Sequence, residues 1–389
     1  MATTMGGESN HNRAVVYAEP GTTKTELVEL PIPRPGPGEV LVRIQFSGVC
    51  HTDYGFCMNA FSSVPFPTPK GQVGGHEGVG EVVAVGAGVT SPAMGDRVGI
   101  KYAADACLNC DRCLRGGESS CEKVKLSGYF TPGTFQQYCL SSARYVTPIP
   151  DGLGSAEAAP LMCGGVSVYT ALKRAEARHG DWIVVAGAGG GLGHLAIQYA
   201  NALGCRVLAM DLGAKERFCK ELGAEMFVDF TAYATEDVLA RAVREITGGG
   251  ARVVLMCSSN KRAYCQAPRW LGFRGKLACL GVPEHSSPAI GEVEDMLNDE
   301  LTIFGVKTGN RLEAKECLEI AARGKVKTHF QLRRMRSLTK VRPPPEIPAA
   351  VVEMDDEGTV SNTLADISPQ IFTEMESGEI QGRVVMDLK

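Results

Sequence analysis

The chain has 389 residues, 44% of them hydrophobic, and a formal net charge of -4, which is enough material for two or three domain-sized units with ordinary cores. That charge balance calls for neither nucleic acid nor an acidic lipid surface as a partner, and no run of about 18 apolar residues marks a membrane span. The polar stretch Met1–Asn12 carries no secretory or mitochondrial address, so the 14 Cys are read as reduced thiols of a cytoplasmic protein, where clustered Cys serve metals more often than disulfides.

In chain order, Ala14–Tyr17 and Val40–Phe46 are predicted strands, joined by the proline-rich link Pro31–Gly38. Short β-rich runs separated by Gly and Pro continue to about Pro150, with Gly80–Val85 and Arg97–Ile100 as further strands, so the first domain is mostly β. A helical pattern follows over Ser167–Ala177, then a buried strand Trp182–Ala186, a glycine turn and a helix Leu192–Leu203. Strand Arg206–Met210, helix Ala214–Leu222 and strands Met226–Asp229, Arg252–Met256 and Lys276–Leu280 continue the alternation. Such alternation predicts an α/β fold with a doubly wound parallel sheet of the Rossmann kind.

Within it lies Gly187-Ala188-Gly189-Gly190-Gly191-Leu192-Gly193, where a strand ends and a helix begins. Glycines there let backbone amides approach a pyrophosphate at the positive end of the helix. Asp211 ends the next strand, where a carboxylate accepts from ribose hydroxyls and repels a 2'-phosphate, which favours NAD over NADP. A merely tight turn does not account for Asp211.

The strongest local signal is Cys107-x2-Cys110-x2-Cys113-x7-Cys121, four thiols in a loop rich in Asp, Asn, Gly and Arg that can close a tetrahedral zinc shell. A full shell leaves no room for substrate, so this zinc is expected to be structural. Cys57, Cys139, Cys205, Cys219, Cys257, Cys265, Cys279 and Cys317 are scattered on apolar segments and read as small core residues. Three further stretches, around Cys50, His76 and Cys163, supply one imidazole and two thiols, a set that suits zinc with an open fourth position for water or an alcohol oxygen. Singly, each of these three would more often be a core residue; together with Asp53 and Glu77 they point to a catalytic metal.

Gly75-His76-Glu77-x2-Gly80-x5-Gly86-x2-Val89 matches the zinc alcohol dehydrogenase signature at every fixed position, and the four-Cys lobe and the glycine turn follow in that family's order. The chain resembles a medium-chain, zinc-dependent alcohol dehydrogenase of the fungal, yeast-like type over about residues 14 to 330 and from about Ile371 onward. The resemblance implies a GroES-like catalytic domain (1–163, with a structural zinc lobe at 101–125), an NAD-binding Rossmann domain (164–310) and a return to the catalytic domain (311–389). It also implies two zinc ions per chain, NAD as cofactor, a small-molecule alcohol or aldehyde as substrate, and a homodimer or homotetramer. Cys50, His76 and Cys163 would be the catalytic zinc ligands, with Glu77 and Asp53 behind them and Asp53 orienting the imidazole. Thr52 would take the alcohol proton and His51 would contact the cofactor pyrophosphate. Lys215, Leu280-Gly281-Val282 and Arg383 resemble the adenosine-ribose lysine, the strand end bordering the nicotinamide and the pyrophosphate arginine.

Three departures from the pattern stand out. The relay histidine expected two residues after Asp53 is replaced by Gly55, so water or His51 is expected to carry the proton, with kcat rising with buffer concentration. The Trp residues that narrow the yeast-type pocket are missing: Trp182 and Trp270 both fall in the nucleotide domain, Tyr102 stands in one pocket position, and Phe56 or Phe61 is expected near the other. A pocket without them implies a substrate larger than ethanol. Residues of about 340–370 have no counterpart, and their Pro, acidic and polar makeup reads either as a solvated insertion or as a read-through of non-coding sequence in the gene model. Beside reversible alcohol oxidation with NAD, the alternatives are a pathway-specific dehydrogenase or reductase for a bulkier alcohol or aldehyde, and a catalytically silent zinc and NAD-binding scaffold.

Overall fold

Trp182–Ala186 is buried along nearly its whole length and belongs in the middle of a sheet covered on both faces. In the computed structural model, which describes residues 11–61, 64–283, 290–335, 371–377 and 380–388, it is the third of six parallel strands. Their order is Met226–Asp229, Arg206–Asp211, Trp182–Ala186, Ala251–Met256, Leu271–Cys279 and Thr302–Gly305. The sequence order reverses between Trp182–Ala186 and Ala251–Met256, and the crevice beyond the carboxyl ends of strands at such a switch is where this architecture holds ligands. Helices Gly193–Ala202, Glu216–Glu221 and Glu236–Thr247 make the crossovers. The last begins where the Thr235 hydroxyl accepts from the Val238 N–H and stops at left-handed Gly248.

The second sheet is organised on the eleven-residue strand Glu39–Val49. Gly78–Val85 pairs with it antiparallel on one side; on the other, Tyr138–Ser142 covers its first half and Arg383–Asp387 its last. Arg97–Ile100, Thr147–Pro148 and Phe330–Arg334 complete this sheet. The register sets Val384 opposite Val49 and Gly78 opposite Ser47. The residues that leave these strands, Cys50, Glu77 and Arg383, are therefore delivered to one end of the sheet. One buried cluster joins the two halves, with Val79, Met162 and Val385 packed in the same core as Val166, Leu195 and Ala314.

Several expectations shift. The helix expected at Ser167–Ala177 runs Gly164–Arg174, starting directly after Cys163. The one expected at Ala214–Leu222 opens as a 3-10 turn, Gly213–Lys215, before Glu216–Glu221. The strand expected at Lys276–Leu280 begins at Leu271, because its first half pairs across a register shift and carries Arg274 at positive φ, which hides the pattern. Cys265 is exposed rather than core, and Cys257 and Cys279 are only half-buried. The insertion read at about 340–370 lies outside the described residues. Among those described, no helix is long and apolar enough to cross a membrane.

Candidate active site

Cys50 ends the long strand and caps the short helix His51–Cys57. Asp53, one turn in, accepts from the Cys50 backbone N–H at 2.9 Å through Oδ2 and from His76 Nδ1 at 2.8 Å through Oδ1. With Nδ1 committed to Asp53, His76 Nε2 is the ring nitrogen left to face the cluster, and it is buried without a hydrogen-bond partner. The ligand atoms of Cys50, His76, Glu77 and Cys163 all lie within 4.8 Å of one another, and all four residues are buried. Two thiols, an orphaned imidazole nitrogen and a carboxylate converging in this way fit a zinc ion. The tightly coupled thiol pair gives up its first proton early: Cys50 lies well below the ordinary thiol value because Cys163 donates to it, with the charge of Arg383 adding to the effect. Burial alone would push His76 down, but the charge and hydrogen bond of Asp53 outweigh it and hold the imidazole well above its ordinary value. Burial raises Glu77 to about 7, against the pull of Arg383, whose guanidinium donates to Glu77 Oε1.

Around this cluster, the Tyr102 ring stands edge-on to the His76 imidazole, with centroids 5.6 Å apart. Phe56 is fully buried, between Tyr102 and Tyr129, and Phe61 packs edge-on against it at 5.4 Å. A Cβ at Gly55 would overlap the Phe61 ring, so the ring fills the space that a relay histidine there would need. His51, exposed at the opening of the helix, lines a cavity of about 1070 Å³ that runs over the carboxyl ends of the parallel strands to Asp211, Phe230 and Trp270. Thr52 is half-buried between His51 and Asp53.

The glycine turn lies between the cavity and the cluster. Gly187 takes φ +80, which only glycine adopts freely, and a Cβ at Gly189 or Gly191 would meet the Lys215 or Arg383 side chain at 2.7 and 2.9 Å. Asp211 Oδ2 accepts from the Gly189 N–H at 2.8 Å, and Lys215 Nζ is 3.6 Å from Oδ1. This glycine cradle, opening the helix Gly193–Ala202 with a carboxylate at its far side, fits a dinucleotide. His194 ties the turn to the other half of the protein. Its Nε2 accepts from the His329 N–H at 3.3 Å, so Nδ1 donates to Gly190 O at 3.0 Å, and His329 O accepts in turn from the Arg383 N–H at 2.9 Å. Burial depresses His194 to about 3, so it works as a neutral strut. Leu280 and Gly281 bend back on the sheet, with both N–H groups bonded to Met256 O, and Val282 is exposed.

Cys107, Cys110, Cys113 and Cys121 also converge within 4.8 Å, with sulfur pairs at 4.0 and 3.9 Å. A zinc with bonds of about 2.3 Å in a tetrahedron needs ligand sulfurs close to that separation. The N–H of Asn109 lowers Cys107, and those of Cys113 and Glu122 bring Cys110 to about 6, which suits thiolates. The Glu118–Arg311 pair at 3.0 Å ties this lobe to the helix Arg311–Ala322.

Every expected ligand is brought to its expected cluster. Sequence reasoning missed the Glu77–Arg383 pair, the Phe61 ring over Gly55 and the His194 strut, all of which join residues with no local signal for one another.

Residues 36–151 match the family model of the alcohol dehydrogenase GroES-like domain, and residues 191–323 that of zinc-binding dehydrogenase. Alcohol dehydrogenase 2 of Emericella nidulans is 46% identical over 97% of both chains, and alcohol dehydrogenase of Schizosaccharomyces pombe 37% identical over 96% of this chain and 97% of its own. Among solved structures, acetophenone reductase from Geotrichum candidum in complex with NAD aligns at a TM-score of 0.78 with 25% identity, covering 98% of each chain.

Proposed function

Starting from the fact that the chain belongs to the zinc-dependent medium-chain alcohol dehydrogenase family, we propose that it interconverts an alcohol and its aldehyde or ketone with NAD at a zinc ion held by Cys50, His76 and Cys163. The observation that carries this reading is the orphaned His76 Nε2, which faces two thiols and a carboxylate at the edge of the dinucleotide cradle. When bound, zinc polarises the substrate oxygen and NAD takes the hydride.

The chain's own groups do the positioning. Asp53 fixes the tautomer that turns His76 Nε2 inward, and Arg383 balances the Glu77 carboxylate behind the ligands. Thr52 is assigned to the substrate proton, and His51, at the cavity, to the pyrophosphate and the outward path. The Phe61 ring leaves no room for a further relay group at Gly55. The glycine turn 187–193 takes the pyrophosphate, Asp211 and Lys215 the adenosine ribose, and Leu280-Gly281-Val282 borders the nicotinamide. Cys107, Cys110, Cys113 and Cys121 hold a second, structural zinc. The division falls at 1–163, 164–310 and 311–389.

The open edge strand Thr302–Gly305, with Val293 and Leu297 of the neighbouring helix 68% and 73% exposed, supports self-association into a dimer or tetramer through the nucleotide sheet. The cytoplasm is the assigned compartment, since all 14 Cys are unpaired and two tetrads of them and their neighbours suit metal.

The test is NADH formation by the zinc-replete protein with alcohols from ethanol to cinnamyl alcohol, repeated with NADP and after chelation. Turnover with NAD that chelation abolishes is expected. Turnover that survives complete zinc removal, or none with any alcohol or matching aldehyde, contradicts the reading. With Tyr102 and Phe61 where bulkier indoles would narrow the pocket, larger alcohols are expected to outrank ethanol.

A further inference from the structure

The cavity of about 1070 Å³ does not end at the ribose carboxylate of Asp211. Leu212, the next residue, and Phe230 line it too, and they are 46% and 41% exposed, an apolar pair left open beside a charged group. Its wall continues along the helix Lys261–Gln266, which starts where Asn260 Oδ1 accepts from the Arg262 and Ala263 N–H groups. Ala263 and Gln266, three residues apart on that helix, share the face that borders the cavity.

Gln266 is 7% exposed, and its Oε1 is fully buried with no hydrogen-bond partner. Among the described residues nothing bonds to its amide nitrogen either. Asp211, the buried carboxylate of the same wall, is by contrast satisfied by the Gly189 N–H at 2.8 Å. A side-chain amide that folding removes from water without giving it a partner costs stability. Bordering a cavity, it offers one acceptor and two donors to whatever enters.

The occupant follows from what lies on either side. The base of a dinucleotide hangs from the ribose that Asp211 and Lys215 would hold, so it enters the cavity next to Leu212 and Phe230. Resting on the NAD-binding reading above, we propose that Gln266 is a specificity-determining residue for the cofactor, its amide reading the edge of adenine between these apolar side chains. Oε1 accepts from the N6 amino group and Nε2 donates to the neighbouring ring nitrogen, the pairing for which a side-chain amide and adenine are matched.

The test is calorimetric titration of NAD and of nicotinamide 1,N6-ethenoadenine dinucleotide, whose N6 carries no hydrogen, into wild type and Gln266→Leu. Wild type is expected to bind NAD at least about tenfold more tightly than the etheno form. Gln266→Leu is expected to weaken NAD roughly 5- to 50-fold while leaving the etheno form within about twofold, which also reports an intact fold. Equal affinities in wild type, an equal loss of both in the variant, or no loss of either would overturn the proposal. Binding of neither dinucleotide by wild type would fail the NAD-binding reading itself. AMP and its etheno derivative then decide the base site separately: AMP binding that Gln266→Leu loses supports the proposal, and equal or absent binding refutes it.

Discussion

Asp53→Asn is the most informative single change near the metal cluster. The Asp53 carboxylate accepts twice, from His76 Nδ1 at 2.8 Å and from the Cys50 backbone N–H at 2.9 Å, and it is fully buried with His76. An amide has one acceptor oxygen, so its NH2 must face one of two donors. If it turns toward Cys50 N–H, the cap of the ligand-bearing helix is lost; if it turns toward His76, the imidazole loses the partner that fixes its tautomer. A buried donor left without an acceptor costs about 1–3 kcal/mol, and loss of the group that orients a metal-bound histidine costs roughly 10- to 100-fold in affinity; the two magnitudes agree. Because Asp53 bonds to Cys50 and His76 of one cluster, and the Cys107–Cys121 lobe is a separate one, only the metal at the first cluster should weaken. Chelator competition on the purified protein, with total zinc followed by elemental analysis, reads both. One zinc is expected to leave the variant at about a tenth or less of the wild-type affinity while the other is unchanged. Equal release curves for both proteins would refute the assignment of Asp53 as the orienting group.

Three further outcomes follow from the same geometry. Asp211→Ser removes the carboxylate that accepts from Gly189 N–H and pairs with Lys215, and should shift the NAD over NADP ratio of kcat/KM toward NADP by about tenfold or more; an unchanged ratio would remove Asp211 from the ribose site. Lys101 donates to Tyr145 O and Thr147 Oγ1, both at 2.6 Å, and burial lowers it from 10.5 to about 7. The unfolded chain therefore binds the extra proton between these values, so stability should rise as pH climbs from about 7 toward about 10. Lys101→Met should flatten that rise in denaturant titrations at the two pH values, and a slope that persists in the variant would point to another group. Gly55→His should cost about 1–3 kcal/mol by driving a side chain into the Phe61 ring. Adding Phe61→Ala should recover part of that loss, and thermal melts that show simple additivity would argue against the contact.

The parts legible in the sequence were those whose cause is local. Trp182–Ala186 and Met226–Asp229 fall where their apolar runs end at glycine and turn residues, and the Cys107–Cys121 lobe closes on itself within fifteen residues of chain. His76 was found within the signature Gly75–Val89 and Cys50 and Cys163 through the family resemblance that signature carries, although what brings Cys50 and His76 together is the register of Glu39–Val49 with Gly78–Val85 and Arg383–Asp387. The remainder was not legible because its partners are far apart in the chain. The helix His51–Cys57 has Gly55 inside it and little propensity of its own, and it is fixed by the Cys50–Asp53 cap and by Tyr54 against Phe372. Thr25–Pro31 is a mostly exposed strand with no apolar run, recognisable only through its pairing with His11–Tyr17. Arg383 and Glu77 meet across 306 positions, and nothing near either one announces the other.

The account depends most on hydride transfer at the Cys50, His76, Cys163 cluster, so the most direct measurement is NAD-dependent alcohol oxidation by zinc-replete Cys163→Ala beside wild type, with NADH binding checked on both. The account predicts that wild type reduces NAD and that the variant, missing a ligand but keeping the glycine cradle, binds NADH while its turnover falls by about a thousandfold or more. Turnover in the variant close to that of wild type would contradict it.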